Sequence, residues 1–227
     1  MGGIGPEATG EFYLKLIHKL QEKKLIKSNK DFPQIIINSI PAPELIQNKI
    51  SNKDLKQYIN GLKELDKLKP DFIVMICNTI HLFYNNLQKY IKTPIIDLKQ
   101  EVYDFLKKNN IKSIFVIGTS NTIKNKLYEF PNIKCFKPTN KEMIQLNNSI
   151  FNFNKGFKKE QQRNKVRKIC KKYLKKGAEK IILGCTEFAV MLSDEKFPKI
   201  NTIDILIDAT INLINLNRLL KKDNRIK

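Results

Sequence analysis

Two stretches, "DFIVMICNT" and "EKIILGCTE", run in the same order: an acidic residue, an apolar run of strand length, then a cysteine with threonine close behind. They place Cys77 and Cys185 at the carboxyl ends of two buried strands, where open α/β sheets bind their ligands. A single buried cysteine at a strand end is ordinarily packing. The repeated context points instead to a pair facing one another across the cleft between two related halves. One chemistry needs that layout. To invert a stereocentre by moving a proton, a base removes hydrogen from one face and an acid returns hydrogen to the other, whereas one fixed side chain only reverses its own step.

Thiols suit the task because their ordinary pKa, ~8.5, is open to lowering by helix N-termini and neighbouring donors. A lowering of that kind is expected at Cys77 and Cys185, since each stands where a strand gives way to a helix. Two thiolates side by side repel, so a thiolate/thiol pair titrating as a unit is expected. Around them Asn78, Thr79, Thr119, Ser120, Thr122 and Thr186 fall in βα turns, which offer side-chain and backbone donors to a carboxylate. His81 either supports the thiolate or orients its own helix, and Glu187 is a neighbour of the Cys185 thiol or a carboxylate at a helix N-terminus. His18, in a lysine-rich helix, reads as a surface residue.

The elements that must position these residues alternate along the chain. Helices are expected at about 6–24, 55–68, 81–90, 99–108, 141–153, 161–176 and 205–220, and strands at "QIIINS", "DFIVMI", "TPIIDL", "KSIFVIG" and "KIILG". The pattern of the first half returns in the second, with "FVIGTSNTI" standing where "GGIGPEAT" stands earlier. The reading is an α/β fold of two pseudo-symmetric halves with mainly parallel strands and the site in the cleft between them. The first half covers 1–98 with the helix at 204–227 packing back on it, and the second covers 99–203.

The 227 residues carry a net charge of +20 from 42 basic and 22 acidic side chains. Only Arg163, Arg167, Arg218 and Arg225 supply guanidinium groups, whereas readers of DNA sequence lean on arginine forks. The lysines are spread along the whole chain, and the densest basic segment, 155–176, forms a helix with a solvated face, so nucleic acid is not the expected partner. The four cysteines, Cys77, Cys135, Cys170 and Cys185, are too widely spaced for a C-x-x-C metal or redox motif. No phosphate loop and no full dinucleotide fingerprint occurs, so neither a cofactor nor a metal is expected. No stretch has the length and apolarity of a membrane span, and no export signal opens the chain; a cytoplasmic location is the expectation.

At "GGIGPEAT", "CNTIH" and "GCTEF" the sequence resembles the aspartate/glutamate racemase family, the cofactor-independent amino-acid racemases, from Met1 to the final helix. The resemblance implies proton transfer by Cys77 and Cys185, contacts to the substrate's carboxylate or ammonium by Asn78, Thr79, Thr119, Thr122 and Thr186, and a homodimer. Aspartate-selective members place an arginine after a Pro-acidic pair; here Pro43 and Glu44 are followed by Leu45. A lysine before a glycine, the family's other basic contact, is matched by Lys155 across a small gap. The readings that compete with a racemase of aspartate or glutamate are a cis-trans isomerase of a small dicarboxylate and a basic binding protein that has kept an enzyme fold; paired cysteines argue against the related one-cysteine decarboxylases.

One feature of the pseudo-repeat concerns the opening turn. In the second half the Gly118 turn follows the strand "SIFVIG", so an equivalent strand is expected before Gly2. The expectation is a product beginning several residues upstream with an apolar strand of about five or six residues; the alternative is a tolerated truncation.

Overall fold

The computed structural model describes residues 1–223 apart from positions 42, 44 and 47–49, so Glu44 and the last four positions lie outside the described residues. The second half follows the sequence closely. Strand β1 (Ser113–Gly118) lies between β2 (Lys134–Phe136) and β3 (Lys180–Gly184), with β4 (Lys199–Asn201) outermost, in the order β2-β1-β3-β4 and parallel throughout. Every residue of β1 is buried, as expected of a central parallel strand covered by helices on both faces.

Those helices are α4 (Leu98–Lys108), α5 (Ser120–Lys124), α6 (Asn140–Asn154), α7 (Lys159–Lys175), α8 (Thr186–Met191) and α9 (Thr202–Asp223). Their ends are fixed by side chains. Thr139 and Glu142 form a capping box at the start of α6, and the same Glu142 carboxylate takes hydrogen bonds from Lys172 Nζ at 2.6 Å and Tyr173 Oη at 2.8 Å on α7. These contacts hold Glu142 down at a pKa of about 2, although its partial burial acts the other way. Tyr173 stacks on Phe115 of β1, which carries the α6–α7 pair onto the sheet.

The first half departs from expectation. Helices α1 (Pro6–Glu22) and α2 (Asn52–Lys67) are present, the latter with a Ser51/Asp54 capping box, and a 3-10 turn at Thr79–Phe83 leads into the short α3 (Tyr84–Gln88). The segments "QIIINS", "DFIVMI" and "TPIIDL", however, form only isolated parallel bridges, Gly2 with Ser39 and Ile73 with Ile95, and no ladder. The hydrogen bonds give the reason. Met1 and Gly2 lie between the segments at 34–40 and 72–76. The Met1 amino group donates to Val74 O and Ile76 N donates to Met1 O; Gly2 N donates to Asn38 O and Ile40 N donates to Gly2 O. Before that point the two segments part around a groove of about 1050 Å³ lined by Ile35, Ile36, Phe72 and Val74. Among the described residues the N–H groups of Ile36, Asn38 and Val74, which continue the same alternation, make no hydrogen bond, and a parallel ladder cannot form without them.

Two clusters of apolar side chains result. The larger surrounds the β-sheet and includes Phe12 and Leu16 of α1; the smaller gathers Met1, Ile4, Ile40, Leu45, Tyr58, Leu62 and Met75. Helix α9 lies against α1, α4, α8 and β3, with Lys15–Asp204 and Lys19–Asp208 ion pairs on its α1 side.

Hydrogen exchange reads this asymmetry directly. The amides of Ile36, Asn38 and Val74 should exchange at least about a hundredfold faster than those of Val116 and Ile182, which are tied into the β1–β3 ladder, since protection follows the local opening free energy. Equal protection would mean that the groove is closed.

Candidate active site

Strands β1 and β3 end in register at Gly118 and Gly184, and both glycines are steric necessities. A Cβ at Gly118 would lie 2.9 Å from Gly184 O, and one at Gly184 would lie 2.9 Å from Ile117 O. The close approach brings the turn beginning at Thr119 beside the turn beginning at Cys185. From the first half the segment after Ile76 delivers Cys77, Asn78 and Thr79 to the same place. Cys77 and Cys185 both line one cavity of about 190 Å³, with Thr79, Thr119, Thr186 and Glu187 on its polar side and Leu45, Ile46 and Ile150 on its apolar side.

Hydroxyl groups tie the turns together. Thr79 Oγ1 is 3.0 Å from Thr119 Oγ1 and 3.0 Å from Thr122 Oγ1, and Thr119 Oγ1 and Thr122 Oγ1 are 3.2 Å apart. Thr119 also accepts the Thr122 N–H, capping α5. Asn78 is buried, its Oδ1 accepts the Tyr128 hydroxyl, and its Nδ2 has no partner among the described residues.

Glu187 is the centre of the Cys185 side. Its Oε2 accepts from Cys185 Sγ at 2.7 Å and from Thr186 Oγ1 at 3.1 Å, and its Oε1 accepts from Asn154 Nδ2 at 3.0 Å. The opening "GGIGPEAT" turn closes over this carboxylate. Gly5, at φ 87° before α1, comes so near that a Cβ there would sit 3.1 Å from both Glu187 Oε1 and Thr186 Oγ1.

Burial overturns the expectation of lowered thiol pKa values. Backbone N–H groups of Ile80 and Thr79 do face Cys77, but desolvation dominates and pushes its thiol up to about 12, with the Glu187 charge adding to the rise. Cys185 is likewise raised well above its ordinary value, by burial and then by Glu187 as charge and hydrogen-bond acceptor. Helices α5 and α8 and the 3-10 turn are each a turn or two long, so their end fields are small against loss of solvent. Both sulfurs are therefore thiols in the unliganded protein.

The remaining sequence-derived residues divide. His81 is buried, with Nε2 3.2 Å from Met75 O and Nδ1 unpartnered among the described residues, and burial lowers its pKa to about 4. Ser120 is turned to Asn147, which donates to its Oγ at 2.7 Å. Lys155 is not among the cavity's lining residues: it ends α6 exposed, with Nζ 4.0 Å from the centre of the Phe151 ring. Its neighbour Asn154 reaches the cavity instead. Sequence reading missed Asn154 and Tyr128, because each acts on a residue in another segment and neither lies in a recognisable motif. Among the described residues no group of three or more metal-ligating side chains occurs, and no helix is long and apolar enough to cross a membrane.

A model of the Asp/Glu/Hydantoin racemase family matches residues 1–210, and the chain belongs to that family. Among individual relatives, the broad specificity amino-acid racemase RacX of Bacillus subtilis (strain 168) is 29% identical over 145 residues, covering 63% of this chain; the match spans 62% of RacX itself. The crystal structure of PH1733, an aspartate racemase homologue from Pyrococcus horikoshii OT3, is 28% identical with a TM-score of 0.70, covering 94% of this chain and 96% of that one. Picrophilus torridus aspartate racemase has a TM-score of 0.77 at 21% identity over 94% of this chain and 92% of its own, a likeness of fold.

Two outcomes follow from the buried groups. At pH 7 iodoacetamide should alkylate Cys77 about a thousandfold more slowly than a free thiol, in proportion to its thiolate fraction, and Cys185 slowly as well, and both should react readily once the chain is unfolded; peptide mass mapping separates them from Cys135 and Cys170. His81 binds its proton more weakly folded than unfolded, so the unfolded chain takes up more protons between pH 6.5 and about 4 and stability falls as pH drops through that window. The loss approaches about 3 kcal/mol by pH 4, and the melting temperature of a His81→Gln variant should fall less steeply over the same range.

Proposed function

We propose that this chain is a cofactor-independent amino-acid racemase working by two-base proton transfer between Cys77 and Cys185, with aspartate and glutamate as its first candidate substrates. One observation carries the reading: two thiols, one following the segment at 72–76 and one following β3, line a single cavity of about 190 Å³, and a carboxylate, Glu187, accepts the hydrogen of one of them. The cavity is below the range usual for drug-sized ligands and suits a molecule of amino-acid size.

The steps use this chain's residues alone. The Cys185 S–H proton passes along its hydrogen bond to Glu187 Oε2, leaving a thiolate beside the substrate. The substrate ammonium favours that charge. The thiolate takes the Cα proton from one face while the Cys77 thiol delivers its proton to the other. Cys185 ends as a thiol and Cys77 as a thiolate, and reprotonation of Cys77 with release of the Glu187 proton resets the site. The enantiomer is converted by the reverse sequence. Asn78 and the Thr79, Thr119 and Thr186 hydroxyls hold the substrate carboxylate. Leu45, Ile46 and Ile150 line the cavity and among the described residues no lysine or arginine does, so a side-chain carboxylate finds no charged partner among the described lining residues. Loose selectivity among aspartate, glutamate and uncharged amino acids is the consequence.

Racemisation and solvent-deuterium incorporation at Cα, measured across a panel of amino acids with maleate as a control, test the proposal. Cys77→Ala and Cys185→Ala should each lose at least 10³-fold in racemisation while remaining folded; near-normal turnover by either, or turnover of maleate alone, would sink it. Because the internal transfer to Glu187 leaves the proton count unchanged, wild-type kcat/KM should be level between pH 6.5 and 8.5. Glu187→Gln removes that acceptor, so its activity should drop about 10²- to 10³-fold at pH 7 and then climb nearly tenfold per pH unit as the thiol itself must ionise.

A further inference from the structure

Tyr128 lies in the turn after α5, about fifty residues from the cysteine loop it touches, and is fully buried. Its hydroxyl donates to Asn78 Oδ1. The edge of its ring, at Cε2, would be 3.2 Å from a Cβ placed on Gly184, the residue before Cys185. One side chain thus leans on the end of β3 and bonds the loop that follows Cys77. Burial raises its pKa well above the ordinary phenol value, and charge on either Cys77 or Cys185 would raise it more, so the group stays a donor throughout the neutral range.

That bond fixes which way the Asn78 amide faces. With Oδ1 on the phenol, the amide nitrogen is the group left over, and it is buried without a partner among the described residues. The reversed amide would strand both the phenol hydrogen and Oδ1 in the same buried space, a worse arrangement. Buried side-chain donors without acceptors are uncommon; Asn78 is not itself among the cavity's lining residues, but it stands between Cys77 and Thr79, which are, and its amide nitrogen is an unfilled hydrogen-bonding position at that edge.

We infer that Tyr128 is a positioning residue: it locks the Asn78 amide with Nδ2 presented as a donor, for the acceptor oxygen of a bound carboxylate. The identity of that acceptor rests on the racemase reading above; the lock itself does not. Tyr128 touches no substrate in this arrangement and acts only through Asn78. The orphaned donor is what makes the site selective for an acceptor, because a ligand without one leaves the donor unpaired.

Tyr128→Phe keeps the ring and removes the bond. With aspartate as probe, KM should rise about 10- to 100-fold, the range for a charge-assisted hydrogen bond lost, with kcat changed much less. Placed in an Asn78→Ala background, the same substitution should add less than twofold. An equal penalty in both backgrounds, or a fall in kcat with KM unchanged, overturns the inference. Should wild-type protein exchange no amino-acid Cα proton at all, the racemase reading fails, and the lock is read by NMR instead: the Asn78 side-chain NH2 pair should be strongly protected from exchange in wild type and lose that protection in Tyr128→Phe. Unaltered signals there would refute it. If Tyr128→Phe does not fold, Asn78→Asp serves, since it keeps an acceptor for the phenol but has no donor; aspartate binding at wild-type strength by that variant overturns the inference equally.

Discussion

The arrangement of the site depends on how closely β1 and β3 approach where they end. Gly118 and Gly184 are register partners, and each has a carbonyl oxygen where a side chain would begin. The two strands can therefore release their chains at the same level and in contact, which sets the Thr119 turn against the Cys185 turn. The hydroxyl triangle of Thr79, Thr119 and Thr122 then has somewhere to form, and it is this triangle that pins the Cys77 loop of the first half to the sheet of the second. A methyl group at either glycine would push the strand ends apart and loosen every contact built upon them.

The same close-packed geometry governs the electrostatics. Short helices and turn amides are aimed at both sulfurs, yet removal from water outweighs them, and the Glu187 carboxylate adds its own opposition to ionisation. Glu187 also accepts the Cys185 S–H hydrogen. Most of the protein's charge takes no part: the ion pairs between α1 and α9 are half-exposed and contribute little to stability, and several lysines, Lys155 among them, rest on aromatic rings.

Much of this was legible in the sequence because it is local. The β1 and β3 runs are short, apolar after a polar first residue and closed by glycine, and the helices carry their own caps, as at Ser51 and Thr139. The cysteine pair was legible because its context is repeated. The ladders expected at 34–39 and 71–76 were not realised, since a strand is a property of its neighbours and the apolar pattern of "QIIINS" says nothing of what lies alongside. Tyr128 and Asn154 were invisible for a related reason: each matters through one bond to a distant residue. The direction of the thiol shifts was misjudged because a sequence displays the donors around Cys77 and Cys185 but not the depth at which they are buried.

Depth has a further effect. A sulfur that is not ionised and not reachable from bulk water reacts poorly with peroxide and with passing electrophiles, since attack on either needs thiolate character and access. Cys77 and Cys185 are both almost wholly enclosed, and the Cys185 hydrogen is held by Glu187. The enclosure that raises both thiols thus also disfavours their oxidation and alkylation.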